Sequence, residues 1–270
     1  MGSYFLFFKA FLATFWVSLV TILEVPLPFS RPRIDRRVKW WAEALMNSAE
    51  VHITVEYDDP IALESHRPYM IMCNHRSWYD IPISIVALEQ WTIRMLAKKE
   101  LFHIPLWASA MRRSEFIAID RSDPQKALES LDQAMEKMKD GVMVWIAPEG
   151  TRSKTGALGE FKPGGFKMAV DTGTILIPTV ILGSEHIMPR GEFGIRKGQN
   201  VVLRLGTPID ASQYGPKGRK KVMVDLRTEM ERLLSLDSMS HSYRAPLNRG
   251  EDFPQFNKTS ETAEISEQDA

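Results

Sequence analysis

Directly after the apolar run Tyr69–Cys73, the chain reads Asn74-His75-Arg76-Ser77-Trp78-Tyr79-Asp80. A histidine and an aspartate this close can form a proton-transfer pair. The carboxylate accepts from one imidazole nitrogen and fixes the tautomer, and the other nitrogen can then take a proton from an alcohol. Backbone shape decides whether the two side chains meet. On a regular helix, residues five apart point about 140° away from each other. A helix beginning at Ser77 would also carry Pro82 past its first turn, at a cost of about 3 kcal/mol. A helix beginning near Asp80 places Pro82 harmlessly in the first turn. The sequence therefore predicts a loop from His75 to Tyr79 and a helix start at Asp80, where the pair can converge. A plainer reading of the same residues has Asp80 capping the helix and His75 meeting a loop carbonyl.

A second group stands at Pro148-Glu149-Gly150-Thr151-Arg152-Ser153, after the run Val142–Ala147. Gly150 lets backbone amides come close to a ligand. Thr151 and Ser153 supply hydroxyls, and the planar fork of Arg152 matches phosphate oxygens. A turn closing a strand explains Pro148 and Gly150, but not Thr151, Arg152 and Ser153 together.

Both groups follow strand-like segments. Val51, Ile53, Val55 and Tyr57 alternate, and Tyr69–Cys73, Trp91–Ala97, Phe116–Asp120, Val142–Ala147, Ile175–Leu182 and Asn200–Gly206 are rich in β-branched and aromatic residues. Helical patterns lie between and after them, from Ser122 to Lys139 and from Gly218 to Ser235. This alternation predicts an α/β domain over 49–240, a mixed and largely parallel sheet flanked by helices.

The ends differ from this middle. Tyr4–Leu23 is apolar and aromatic, broken by Lys9 and a few hydroxyl residues; as a helix it would run about 30 Å, near the thickness of a bilayer core. Neither a cleavable leader nor a myristoylation signal fits it. From Ile34, an apolar stripe of Ile34, Val38, Trp41, Leu45 and Ala49 marks an amphipathic helix. Arg31, Arg33, Arg36, Arg37 and Lys39 crowd its start and suit the cytoplasmic, anionic face of a membrane; Trp40 and Trp41 suit its interface. Residues 1–48 are therefore expected to dock on a membrane, by spanning it or by lying in one leaflet; a buried core helix is the plainer alternative for Tyr4–Leu23. The segment 241–270 is acidic and poor in apolar residues, and is expected to be disordered.

Composition excludes less. At 270 residues, with 44% apolar and 25% charged, the chain can bury a sizeable core. Lys plus Arg equal Asp plus Glu at 34 each, so no overall bias toward nucleic acid exists. Cys73 is the single cysteine, which leaves no internal disulfide; in a strand it is expected to face the core. His52, His66, His75, His103, His186 and His241 show no zinc spacing, and no metal or cofactor is expected.

Asn74-His75-x4-Asp80 followed by Pro148-Glu149-Gly150-Thr151-Arg152 resembles the glycerolipid acyltransferases, in particular the bacterial 1-acyl-glycerol-3-phosphate acyltransferases. Phe116-Ile117-Ala118-Ile119-Asp120-Arg121 resembles that family's second block and Ile177-Pro178-Thr179-Val180 its fourth, so the likeness covers roughly Val51 to Ile209. The resemblance implies His75 and Asp80 as catalytic residues and Arg121, Glu149, Gly150, Thr151 and Arg152 as ligands of the acceptor phosphate. Asn74, Lys98, Lys99 and Ser153 are further candidates. Where many relatives have two glycines, this chain has Ala108 and Glu115.

The implied reaction is direct transfer of a fatty acyl chain from acyl-CoA or acyl-carrier protein to 1-acyl-glycerol-3-phosphate, making phosphatidic acid for phospholipid synthesis. A thioester has a good leaving group, so neither a metal nor a covalent enzyme intermediate is required. Backbone amides near Gly150 are candidate oxyanion donors. The same chemistry on another lysolipid, or a membrane lipid-binding protein without catalysis, are the competing readings.

Overall fold

A computed structural model describes residues 3–24, 26–61, 63–64, 67–120, 123–153, 155–189, 191–192 and 194–245. Arg121 and the tail beyond 245 lie outside the described residues. Among them, nine strands form one sheet: β1 (His52–Tyr57), β2 (Tyr69–Cys73), β3 (Ile93–Lys98), β4 (Ile117–Ile119), β5 (Met143–Ile146), β6 (Ile175–Leu182), β7 (Asn200–Leu205), β8 (Ile209–Asp210) and β9 (His241–Arg244). Their order is β4-β3-β5-β2-β6-β7-β1-β9, with β8 against β6. The run from β4 to β6 is parallel, as is β7 with β1; β6–β7, β6–β8 and β1–β9 are antiparallel. The expected mixed, largely parallel sheet is present.

Helices α1 (Ser3–Leu23), α2 (Arg31–Ser48), α3 (Asp80–Ala87) and α4 (Trp107–Arg113) precede α5 (Pro124–Lys139), α6 (Pro163–Thr172) and α7 (Arg219–Ser235). One face of the sheet packs Ile71, Cys73, Trp145 and Ile177 against Val38, Met46, Ile83 and Val86 of α2 and α3. The other packs Met70, Met72, Val144 and Leu176 against Leu131, Phe166, Leu226 and Met230 of α5 to α7. Connections leaving β2 and β5 therefore use opposite faces. Between two such adjacent parallel strands, the chain leaves a crevice at their carboxyl ends.

Sequence reading missed α4, α6, β8 and β9. The domain also runs past the boundary expected at 240, because His241–Arg244 pairs with β1 and the His241 ring stacks on Tyr57.

Helix α1 is built inside out. Phe8, Phe11, Phe15 and Trp16 of α1 face outward, each more than two-fifths exposed. Thr14, Ser18 and Thr21 face inward, each hydroxyl bonded to the carbonyl four residues back. The side against the protein is thus the more polar one, the reverse of a helix on a water-soluble domain. Trp41, expected at a membrane interface, instead donates its indole N–H to Thr14 Oγ1 at 3.0 Å, while Trp40 remains exposed.

The basic cluster is also largely spent within the protein. Arg31 forks onto Glu115 with two 2.8 Å bonds, Arg37 pairs with Glu24 and Lys39 with Glu89. Only Arg33 and Arg36 of the five are outside the ion pairs formed among the described residues. Glu115 sits at φ 62°, a left-handed backbone that favours glycine. Here that position carries a carboxylate between Arg31, Lys137 and Arg94.

Candidate active site

The loop after β2 has the predicted shape. Helix α3 starts at Asp80 with Pro82 in its first turn, and Tyr79 accepts the Ile83 N–H at 2.9 Å. Asp80 is fully buried, and its Oδ2 lies 2.7 Å from His75 Nδ1. The same oxygen accepts the Arg76 N–H at 2.7 Å and the Ser77 N–H at 2.8 Å. An oxygen taking two backbone donors is an acceptor toward the ring as well, so Nδ1 carries the hydrogen. Nε2 then holds the lone pair, on a side chain that keeps 18% of its surface exposed. One carboxylate both folds the loop and sets the tautomer.

Neighbouring elements pin this pair. Asn74 accepts the Ile181 N–H at 2.7 Å and donates to the Ile181 carbonyl at 3.0 Å, tying the loop to β6. The Trp145 ring meets His75 edge-on with centroids 5.8 Å apart. Its indole N–H donates to Ser84 Oγ, which donates to the Asp80 carbonyl. Trp145 was not among the predicted site residues: Val142–Ala147 is apolar throughout and shows no alternation that would single it out.

The loop after β5 grips the first through backbone bonds. Ser153 N–H donates to the His75 carbonyl at 2.7 Å, and the His75 N–H reaches Glu149 Oε1 at 3.4 Å. Glu149 Oε2 accepts the Gly159 N–H at 2.7 Å, where any side chain would strike that oxygen. The family likeness implied Glu149 as a phosphate ligand. The buried carboxylate instead faces two amides inside the fold, where it positions the loops, and a carboxylate would repel a phosphate.

Ser153 is placed differently from expectation too: its hydroxyl donates to the Ala157 carbonyl and accepts the Gly156 N–H, closing its own turn. Gly150 takes φ 70°, as the tight turn requires. Thr151 is exposed beside it, and Arg152 lays its guanidinium over the Trp78 ring, 4.7 Å from the centroid.

The lysines are engaged by nearby acids. Lys99 Nζ lies 2.6 Å from Asp120, which raises its pKa through that hydrogen bond, and Lys98 lies 3.2 Å from Glu100. Cys73 is buried and its thiol is pushed well above the ordinary range by desolvation. A thiol so placed is a poor nucleophile, and its side chain packs in the core as expected.

An apolar cleft between α1, α2 and α4 is lined by Val17, Val38, Trp41, Met95, Met111 and Phe116. Met95 sits beside Trp145 in the sheet register, so Met95 and Trp145 separate the cleft from the histidine.

Residues 52–182 match the family model described as Acyltransferase. The 1-acyl-sn-glycerol-3-phosphate acyltransferase of Pseudomonas aeruginosa is 32% identical over 205 residues, covering 75% of this chain and 77% of that protein. The chloroplastic LPAT1 of Arabidopsis thaliana, with the same enzyme name, is 36% identical over 149 residues. The chain spans about two fifths of the chloroplast relatives it matches, 41% and 43% of their lengths. The crystal structure of the 1-acyl-sn-glycerophosphate (LPA) acyltransferase PlsC from Thermotoga maritima aligns with a TM-score of 0.68 at 24% identity. That alignment covers 87% of this chain and 98% of the other, and carries the fold.

Proposed function

The chain belongs to the acyltransferase family of the 1-acyl-sn-glycerol-3-phosphate acyltransferases, and from that premise we propose that it acylates the free hydroxyl of 1-acyl-glycerol-3-phosphate from acyl-CoA or acyl-carrier protein. The observation that carries this reading is the 2.7 Å bond from His75 Nδ1 to a fully buried Asp80. In the proposed step, His75 Nε2 takes the hydroxyl proton as the oxygen attacks the thioester carbonyl. Asp80 stabilises the resulting imidazolium. The tetrahedral adduct collapses, the carbon–sulfur bond breaks, and the leaving thiolate recovers the proton from His75. Arg152, with Arg121 by family likeness, holds the acceptor phosphate so that the hydroxyl stays near the base. The cleft between α1, α2 and α4 offers an apolar surface to hydrocarbon.

Membrane docking belongs to the same proposal. With phenylalanines outward and hydroxyls inward, α1 suits immersion in lipid. It also packs on the domain at both ends and in the middle: Ser3 bonds Ile195, Thr14 bonds Trp41, and Leu27 just past the helix bonds Arg113. A helix held along its length favours lying in one leaflet over crossing the bilayer, on the cytoplasmic face (the inner membrane in a bacterium).

The test offers the protein in phospholipid micelles a panel of lysolipids, with labelled acyl-CoA and acyl-carrier protein in turn. Labelled phosphatidic acid from lysophosphatidate is the expected product. Transfer only to acceptors lacking the phosphate would replace the acceptor, and no transfer from either donor would leave a lipid-binding protein.

A further inference from the structure

We infer that Trp78 is a positioning residue, whose indole face holds the Arg152 guanidinium in the plane that receives the acceptor phosphate. Its neighbours Ser77 and Tyr79 are buried, while Trp78 between them is 43% exposed. Ser77 Oγ donates to the Met188 carbonyl and accepts the Tyr79 N–H, so the backbone on either side of Trp78 is anchored. The backbone beside Arg152 is anchored as well, because the next residue, Ser153, donates its N–H to the His75 carbonyl. The 4.7 Å contact therefore joins two anchored points, one on each loop. Stacking uses the face of a guanidinium, whereas its N–H donors lie in the plane and point outward from the edge. A ring on one face thus removes rotational freedom without consuming donors. The indole is the ring best suited to a cation.

This inference rests on the reading of Arg152 as a phosphate ligand, and the experiment separates the two. Steady-state constants for lysophosphatidate and for acyl donor are measured for Trp78→Ala, Trp78→Phe, Trp78→Leu, Arg152→Ala and the Trp78→Ala/Arg152→Ala double variant. Trp78→Ala should raise the acceptor KM by about 3- to 30-fold, the range of a cation–π contact, with the donor KM and kcat nearly unchanged. Trp78→Phe should restore most of the loss and Trp78→Leu should not. In the Arg152→Ala background the Trp78→Ala effect should vanish. Rescue by leucine, or an undiminished effect in that background, would show the indole acting as an apolar or membrane contact and would overturn the inference. If Arg152→Ala itself leaves the acceptor KM unchanged, the phosphate assignment fails and the inference with it. An acceptor KM that moves for Arg152→Ala and not for Trp78→Ala removes the inference alone.

Discussion

Asp80 and Asp35 each hold one basic side chain against the same sheet, and only Asp80 holds one that keeps a free ring nitrogen on its open side. Asp35, on α2, bonds Arg94 Nη2 at 2.5 Å and accepts the Thr92 hydroxyl at 2.9 Å. Asp80 bonds His75 and two backbone amides. Arg94 is 1% exposed and His75 18% exposed. The guanidinium offers donors and no acceptor lone pair, so the first pair can only fasten α2 to β3. The imidazole keeps a second nitrogen on the open side. A buried carboxylate beside a base is therefore not itself the signature of catalysis. What distinguishes the site is a base that can exchange a proton and still reach solvent or substrate.

Removing the exchanging base should have the largest effect. His75→Ala is expected to lower turnover by about 10²–10⁴-fold, the usual worth of a general base, with an unchanged thermal midpoint because the loop is held by Asp80 and Asn74. Asp80→Asn should lose rate too, since an amide can present an N–H to the ring and favour the wrong tautomer. Unlike His75→Ala, it should also lose stability, through the Arg76 and Ser77 amides. Wild-type turnover by purified His75→Ala would end the distinction drawn between the two pairs.

Breaking the other pair should invert the pattern. Asp35→Asn removes the charge opposite a buried arginine, which leaves Glu115 as the next carboxylate at 3.9 Å. The expected loss is about 1–3 kcal/mol of stability, seen as a lower denaturant midpoint, with little change in the turnover of folded protein. A large fall in turnover at unchanged midpoint would mean that α2 takes part in the reaction.

The same contrast explains what was legible in the sequence. The His75–Asp80 pair was, because Pro82 leaves one place for the helix to begin and five residues then suffice to define the loop. Strands with β-branched runs, such as β6 and β7, were equally plain. The Asp35–Arg94 pair was not, since it joins residues 59 positions apart, and a lone arginine in a strand carries no signal of burial. The same holds for Glu149, whose inward turn depends on the Gly159 amide. Arg31 and Lys39 read as a lipid-facing cluster because their partners, Glu115 and Glu89, stand far along the chain. The short β8 and β9 lack periodicity altogether.

The smallest expected effect belongs to Glu115, the outer member of the fastening cluster. The Arg31 hydrogen bond, helped by the charges of Arg31, Lys137 and Arg94, holds its carboxyl below the usual carboxylate range, against the opposing pull of burial. A folded-state pKa below the unfolded one means that the stabilisation is complete above the unfolded value, about 4.3. It fades as pH falls through the folded value. Glu115→Gln should therefore be less stable than the wild type at neutral pH, and the gap should close in acid. Backbone strain at φ 62° is common to both proteins and cancels from the comparison. Denaturant midpoints of the two at pH 7 and at a series of values below 4.3 measure the gap. A gap that stays constant into acid would show that the Arg31 contact contributes through shape and not through charge, and Glu115 would then leave the cluster that α2 depends on.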